Sequence, residues 1–123
     1  MEREEFEKIA QEEFDALPEK FRSSIDNVHV VVEDVDSAGV RGRAGVYAGS
    51  MLLGLYEGIP LTRRGADYGM FPVVPDRITL FKRNIESVAT SHEEIRARIR
   101  EVLIHEVAHY FGMSEKEIRR AGY

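Results

Sequence analysis

Two histidines four residues apart, His105 and His109, stand near the end of a segment with helical periodicity. Apolar side chains recur at helical spacing before and between them: Ile95, Ile99, Val102, Leu103 and Val107. Residues at i and i+4 lie on one face of a helix, so both imidazoles can bind the same metal ion. The pattern therefore predicts a helix with a metal-binding face, around which the rest of the chain has to fold.

The residues that flank this segment mark both ends of the helix. Ser91, with Glu94 three positions later, forms a capping box, which is a start signal. Gly112, just after the histidine pair, can adopt the left-handed conformation that ends a helix. The sequence thus predicts a helix from about His92 to Phe111, with the two histidines in its last two turns.

Glu106 follows the first histidine and completes the pattern His-Glu-x-x-His, which is typical of zinc-dependent hydrolases. Zinc held by His105 and His109 needs a third protein ligand and a water to complete an open tetrahedral site. The metal lowers the pKa of that water and polarises a carbonyl group, while Glu106 can accept the proton and pass it to a leaving amine. The motif indicates metal-dependent hydrolysis, with Glu106 as general base.

Length, charge and composition limit the classes of protein that fit. A chain of 123 residues is expected to form one domain, spanning 1–123. The net charge of −5 argues against nucleic acid as a partner, and the lack of cysteine excludes disulfides and thiolate ligands. No segment has the pattern of a signal peptide or a membrane span. We therefore expect a cytoplasmic protein without membrane contact, of unknown oligomeric state.

Local patterns predict an N-terminal helix and three strands. The helix ends before Pro18 and carries one apolar face: Phe6, Ile9, Ala10, Phe14 and Leu17. Val28 to Val35 is a β-branched run, typical of a central, buried strand, and Met51 to Tyr56 is expected to form a second strand. Arg77 to Lys82 alternates polar and apolar residues, which favours a half-exposed strand at the edge of the sheet.

Two glycine-containing segments and a second capping box complete the pattern. Asp36 to Ser50 and Thr62 to Pro75 are predicted loops, and the second is long enough to form the rim of a site. Ser114 and Glu117 are expected to start a short C-terminal helix. The order of elements predicts an α+β fold with a small sheet packed against the motif helix.

Three stretches, Gly54 to Thr62, Pro75 to Phe81 and His105 to Gly112, carry a family resemblance that extends over most of the chain. The chain resembles the minimal zincin-like metallopeptidases, a family of small bacterial proteins. The resemblance implies a small twisted β-sheet packed on an N-terminal helix and an HExxH active-site helix, a Zn²⁺ cofactor, and a peptide or protein substrate. It also implies that an extended substrate pairs with an edge strand beside the active site. The residues expected to bind it here are Arg77, Ile78, Thr79, Leu80 and Phe81.

The third metal ligand is where the sequence departs from the family pattern. Extended zincin motifs read HExxHxxGxxH or HExxHxxGxxD, and here Glu115 occupies the last position. A carboxylate can bind zinc, but an acid in the first turn of a helix is also favoured by the helix dipole. His29 is another possible ligand or an ordinary strand histidine. Tyr68, Tyr110 and Tyr123 are candidates for stabilising an oxyanion, or packing residues.

Two functional hypotheses follow from these observations. The first is a zinc-dependent metallopeptidase that hydrolyses peptide bonds with a metal-activated water and Glu106 as general base. The alternative is a zinc-binding interaction or regulatory domain without physiological peptidase activity, which the unusual third position and the lack of a second lobe favour. Cleavage of peptides that depends on both metal and Glu106 would distinguish them. The identity of the substrate cannot be derived from this pattern.

Overall fold

The computed structural model describes residues 1–23, 25, 27–37, 51–58 and 76–122. In chain order, helices come before and after the three strands of a small sheet. The elements are α1 (Arg3–Asp15), α2 (Glu19–Arg22), β1 (Val28–Glu33), β2 (Gly54–Glu57), β3 (Asp76–Phe81), α3 (Lys82–Ser87), α4 (His92–Tyr110) and α5 (Glu115–Arg120). This content confirms the α+β class. No helix among the described residues is long and apolar enough to cross a membrane. Most of the two predicted loops lies outside the described residues.

Strand β3 is the central strand of the described sheet, whose order is β1-β3-β2. It pairs in parallel with β1 along its whole length, and Arg77 to Leu80 also pair with β2 in the antiparallel sense. Two sequence predictions are therefore wrong. The strand predicted at Val28 to Val35 is an outer strand of this sheet, and the strand predicted at Arg77 to Lys82 does not lie at an edge.

The polar residues of β3 explain why its sequence resembled an edge strand. Asp76 is buried and accepts a hydrogen bond of 2.6 Å from the hydroxyl group of Tyr56. The exposed guanidinium of Arg77 pairs with Glu57 at 2.8 Å. Polar side chains that find partners on a neighbouring strand are compatible with a central position. Polar residues at the start of β3 therefore do not place this strand at an edge of the sheet.

The core lies between α1, α4 and the sheet. Its largest fully buried aliphatic residues include Ile78, Leu80, Ile99 and Leu103, together with Phe6 from α1. Burying side chains of this size stabilises the fold by about 1.5–3 kcal/mol each, before the entropy cost of ordering them. The motif helix is thereby fixed along its buried face against both the sheet and the N-terminal helix.

Capping and a left-handed glycine set the bounds of α4, as the sequence predicted to within one residue. The hydroxyl of Ser91 accepts a hydrogen bond of 3.1 Å from the Glu94 amide, and the Glu94 carboxylate accepts one of 2.8 Å from the Thr90 amide. After the helix, Gly112 has φ 78°, which reverses the chain direction. The reversal leads directly into α5, whose capping box at Ser114 forms as predicted.

Candidate active site

The turn at Gly112 brings Glu115, in the first turn of α5, back against the two histidines of α4. Nε2 of His109 lies 3.2 Å from Oε1 of Glu115, and Nε2 of His105 lies 3.5 Å from Oε2 of the same carboxylate. All three side chains are partly exposed. One carboxylate therefore contacts both imidazoles through their Nε2 atoms.

The donor atoms of these three side chains are of the kinds that zinc binds. Two imidazole nitrogens and a carboxylate oxygen are an accepted ligand set, with bonds of about 2.0–2.2 Å, so tetrahedral ligands lie roughly 3.3–3.6 Å apart. The two His–Glu115 separations, 3.2 Å to Oε1 and 3.5 Å to Oε2, are near that spacing. As they stand, these side chains contact one another directly, and the described residues contain no group of three or more His, Cys, Asp or Glu arranged to hold a metal ion.

Glu106 lies on the inner side of the site and is only 6% exposed. Its Oε2 atom is 3.4 Å from Nδ1 of His109. The pKa of His109 is raised above its ordinary value of 6.5, chiefly by the hydrogen bond with Glu106, against the opposing effect of burial, and Glu115 contributes in the same direction as Glu106. Without a metal, His109 is thus held between two carboxylates that favour its protonated form.

A cavity of about 780 Å³, called the cleft below, lies beside these residues. Its described lining comprises Leu52, Leu53, Gly54, Leu55, Glu101, Val102, Ile104, His105, Glu106, His109, Glu115 and Gly122. Five of these side chains are aliphatic, three are acidic, and none is Lys or Arg. The cleft therefore combines an apolar wall from β2 and α4 with the His105, Glu106, His109 and Glu115 side chains.

The β2 wall of the cleft is anchored by a buried polar pair that sequence reasoning missed. The carboxylate of Asp36 accepts hydrogen bonds from the Leu52 amide at 3.1 Å and from Nδ2 of Asn84 at 2.5 Å. Asn84 also donates to the carbonyl of Leu52 at 2.8 Å. Asp36 and Asn84 are both buried. They are distant in sequence, so no local pattern could have paired them.

The residues predicted to bind substrate do not line the cleft in the described structure. The prediction that Arg77, Ile78, Thr79, Leu80 and Phe81 bind substrate rested on a free strand edge. That premise is wrong, because β3 is paired on both sides over most of its length. The four residues after Arg77 are also buried. The outer strand that borders the cleft is β2.

Of the other predicted candidates, the structure describes His29 and Tyr110, and neither is among the described lining residues of the cleft. His29 is exposed on β1, which β3 separates from β2, and it is not among the described lining residues of the cleft. Tyr110 is fully buried and makes edge-on ring contacts with Tyr56 and Phe111, so it is a packing residue. Tyr68 and Tyr123 lie outside the described residues.

Comparison with known proteins places these features in a family. A sequence model described as zincin-like metallopeptidase matches residues 25–123, which include the sheet, α4 and α5. A conserved hypothetical protein from Thermo thermophilus has a similar structure, with a TM-score of 0.58 and 22% identity over 98% of both chains. At that identity the likeness shows a shared fold alone. No curated protein sequence matches the chain significantly.

Proposed function

Because the chain belongs to the zincin-like metallopeptidase family, we propose that it is a zinc-dependent peptidase. The observation that carries the proposal is the meeting of His105, His109 and Glu115 within 3.5 Å, beside the buried carboxylate of Glu106. This arrangement combines a metal ligand set with a general base at the C-terminal end of α4, with one ligand supplied by α5.

The zinc ligands in this proposal are His105 and His109, through Nε2, and Glu115, through its carboxylate. Zinc, when bound, supplies a Lewis acid that polarises a carbonyl and makes a water acidic. The three ligands come from two elements joined by the turn at Gly112, so the geometry of that turn decides whether the set can close. Glutamate is longer than the aspartate of the family pattern by one methylene group, and here it reaches both imidazoles.

Glu106 is the proposed proton carrier. It lies between the two histidines on α4, and it is screened from solvent on the inner side of the cleft. In peptide hydrolysis it would accept a proton from the attacking water and donate it to the nitrogen of the leaving amine. His109 holds this carboxylate in place through Nδ1, at 3.4 Å.

We assign substrate binding to strand β2 in place of β3. β2 is an outer strand of the described sheet, and consecutive residues around its start, Leu53, Gly54 and Leu55, all line the cleft. Since side chains of a strand alternate between faces, consecutive lining residues mean that the strand presents its edge to the cleft. A peptide could add to that edge by backbone hydrogen bonds. The aliphatic lining favours peptides with apolar side chains near the cleaved bond.

A zinc-binding domain without turnover is the second candidate. The observation in its favour is the third ligand position, where Glu115 stands in place of the histidine or aspartate of the family pattern. Such a domain would bind zinc and peptides but would not cleave the peptides.

Cleavage of a broad peptide library tests the proposal. Protein loaded with one equivalent of zinc should cleave peptides with apolar residues beside the cut. Chelator should stop cleavage, and added zinc should restore it. Glu101→Gln removes the charge of an exposed carboxylate that lines the cleft but lies outside the proposed ligand set. This variant is the control for losing one negative charge in the cleft. Zinc binding without any cleavage would favour the second candidate.

A further inference from the structure

Strand β2 meets helix α4 at Gly54, where the two elements approach more closely than a side chain would permit. A Cβ atom placed on Gly54 would overlap Cγ1 of Val102, and it would lie 3.2 Å from the carbonyl oxygen of Thr79 and 3.6 Å from Cγ of Glu106. The contact with Val102 is far shorter than real Cβ contacts, so something must shift. Valine in a helix strongly prefers one χ1 rotamer, so Val102 turns away only at a cost, and otherwise β2 and α4 must move apart. Only glycine fits here without one of these changes.

This close approach occurs beside the proposed general base. Val102 and Glu106 are one helical turn apart on α4, so they form one ridge that faces Gly54. The backbone of β2 is fixed on its other side by pairing with β3, with Gly54 opposite Leu80. Two residues earlier, Asp36 and Asn84 hold the Leu52 peptide group. These contacts fix the distance between β2 and α4, and the size of the residue at position 54 determines that distance.

We infer that Gly54 is a positioning residue, whose missing side chain sets the distance between Glu106 and a peptide bound along β2. The inference rests on the proposed function and deepens it. A peptide that adds to β2 takes its position from the strand, whereas Glu106 takes its position from α4. A methyl group at position 54 would push the two apart, and displacement of reacting groups by about 1 Å can reduce the rate of an enzyme by roughly a hundredfold. The proposed zinc ligands lie on α4 and α5 and would keep their mutual geometry.

A double-mutant cycle tests this inference. Gly54→Ala, Val102→Ala and the double variant are compared with wild type, because Val102→Ala removes the atom that the new methyl group would meet. For Gly54→Ala we expect zinc affinity within twofold of wild type and kcat/KM lowered at least tenfold. In the double variant, kcat/KM should rise well above that of Gly54→Ala. Melting temperatures, measured in parallel, establish that each variant is folded.

Two results would overturn the inference. One is a Gly54→Ala variant with kcat/KM within twofold of wild type. The other is a folded double variant that is as inactive as Gly54→Ala. If zinc-loaded wild type cleaves no peptide, the proposed function fails, and binding of Leu-Leu hydroxamate to the four zinc-loaded proteins decides instead. Weaker binding in Gly54→Ala with recovery in the double variant supports the inference, whereas equal binding by all four, or none by wild type, overturns it.

Discussion

His109 and Glu115 are six residues apart, on different helices, and their side chains meet at 3.2 Å. The contact depends on the chain reversal at Gly112, whose φ of 78° is in the left-handed region. Glu115 also contacts His105 at 3.5 Å. From the sequence alone, Glu115 could equally be an acid that stabilises the start of a helix through the helix dipole. In the structure, its carboxylate lies at the histidine pair.

Replacing Glu115 by glutamine should weaken zinc binding. An amide oxygen carries no full charge, so we expect zinc affinity to fall at least tenfold, while melting temperature in chelator changes little because Glu115 is exposed. Calorimetric titration with zinc measures the effect. Glu101→Gln is the matched control, since Glu101 lines the same cleft and its carboxylate pairs with Arg98. Equal affinity in wild type and Glu115→Gln would remove Glu115 from the ligand set.

The metal-free protein should lose stability as pH rises through the pKa of His109. The folded-state pKa of His109 is raised above the ordinary value of 6.5, chiefly by the hydrogen bond with Glu106. A group of this kind stabilises the fold fully below its unfolded pKa and loses that contribution as pH rises through the folded pKa. In Glu106→Gln, the pKa of His109 should be lower and the pH dependence smaller. NMR titration of the His109 ring in chelator measures the pKa, urea denaturation at several pH values measures the stability, and identical pKa values in the two proteins would refute this origin of the shift.

The same raised pKa predicts competition between protons and zinc. Zinc requires the neutral imidazole, so its apparent affinity should increase with pH until His109 has lost its proton. Zinc titrations at several pH values should show this increase extending above pH 6.5. An affinity that reaches its plateau below pH 6.5 would contradict the prediction.

Ser91→Ala should destabilise the protein by removing the cap of the motif helix. The Ser91 hydroxyl accepts a hydrogen bond from the Glu94 amide, and the loss of such a cap costs about 1 kcal/mol. Urea denaturation measures the change. Ser87→Ala is the control, because the Ser87 hydroxyl bonds to the Asn84 carbonyl within α3 and caps no helix start. Equal losses of unfolding free energy in Ser91→Ala and Ser87→Ala would show that the Ser91 cap makes no contribution of its own.

The main features of the motif helix could be predicted from the sequence because they are local. Its periodicity, the Ser91 cap and the Gly112 stop lie within about twenty residues of one another, and the helix His92–Tyr110 followed from them. Glu115 could be singled out because it occupies the third ligand position of the extended zincin motif that the chain resembles. The capping box at Ser114 was equally local.

The order of the strands could not be derived in the same way. Which strand is central depends on pairing between segments far apart in the sequence, and Arg77 and Asp76 find their partners on β2. Because those partners cannot be identified from the sequence, the alternation of polar residues suggested an exposed edge. The role of Gly54 has the same origin, since it follows from a close approach to Val102 that no neighbouring residue announces. The free strand edge was consequently predicted on β3, which is paired on both sides over most of its length.

The most direct test of the account is the rate of peptide cleavage by Glu106→Gln, measured with its zinc content. The substitution keeps the size of the side chain and leaves His105, His109 and Glu115 unchanged, so one zinc per chain should remain bound. General acid–base catalysis contributes about 10²–10⁴-fold, so kcat should fall by at least a hundredfold relative to zinc-loaded wild type. Full zinc occupancy with cleavage at the wild-type rate would contradict the assignment of Glu106 and the proposed mechanism with it.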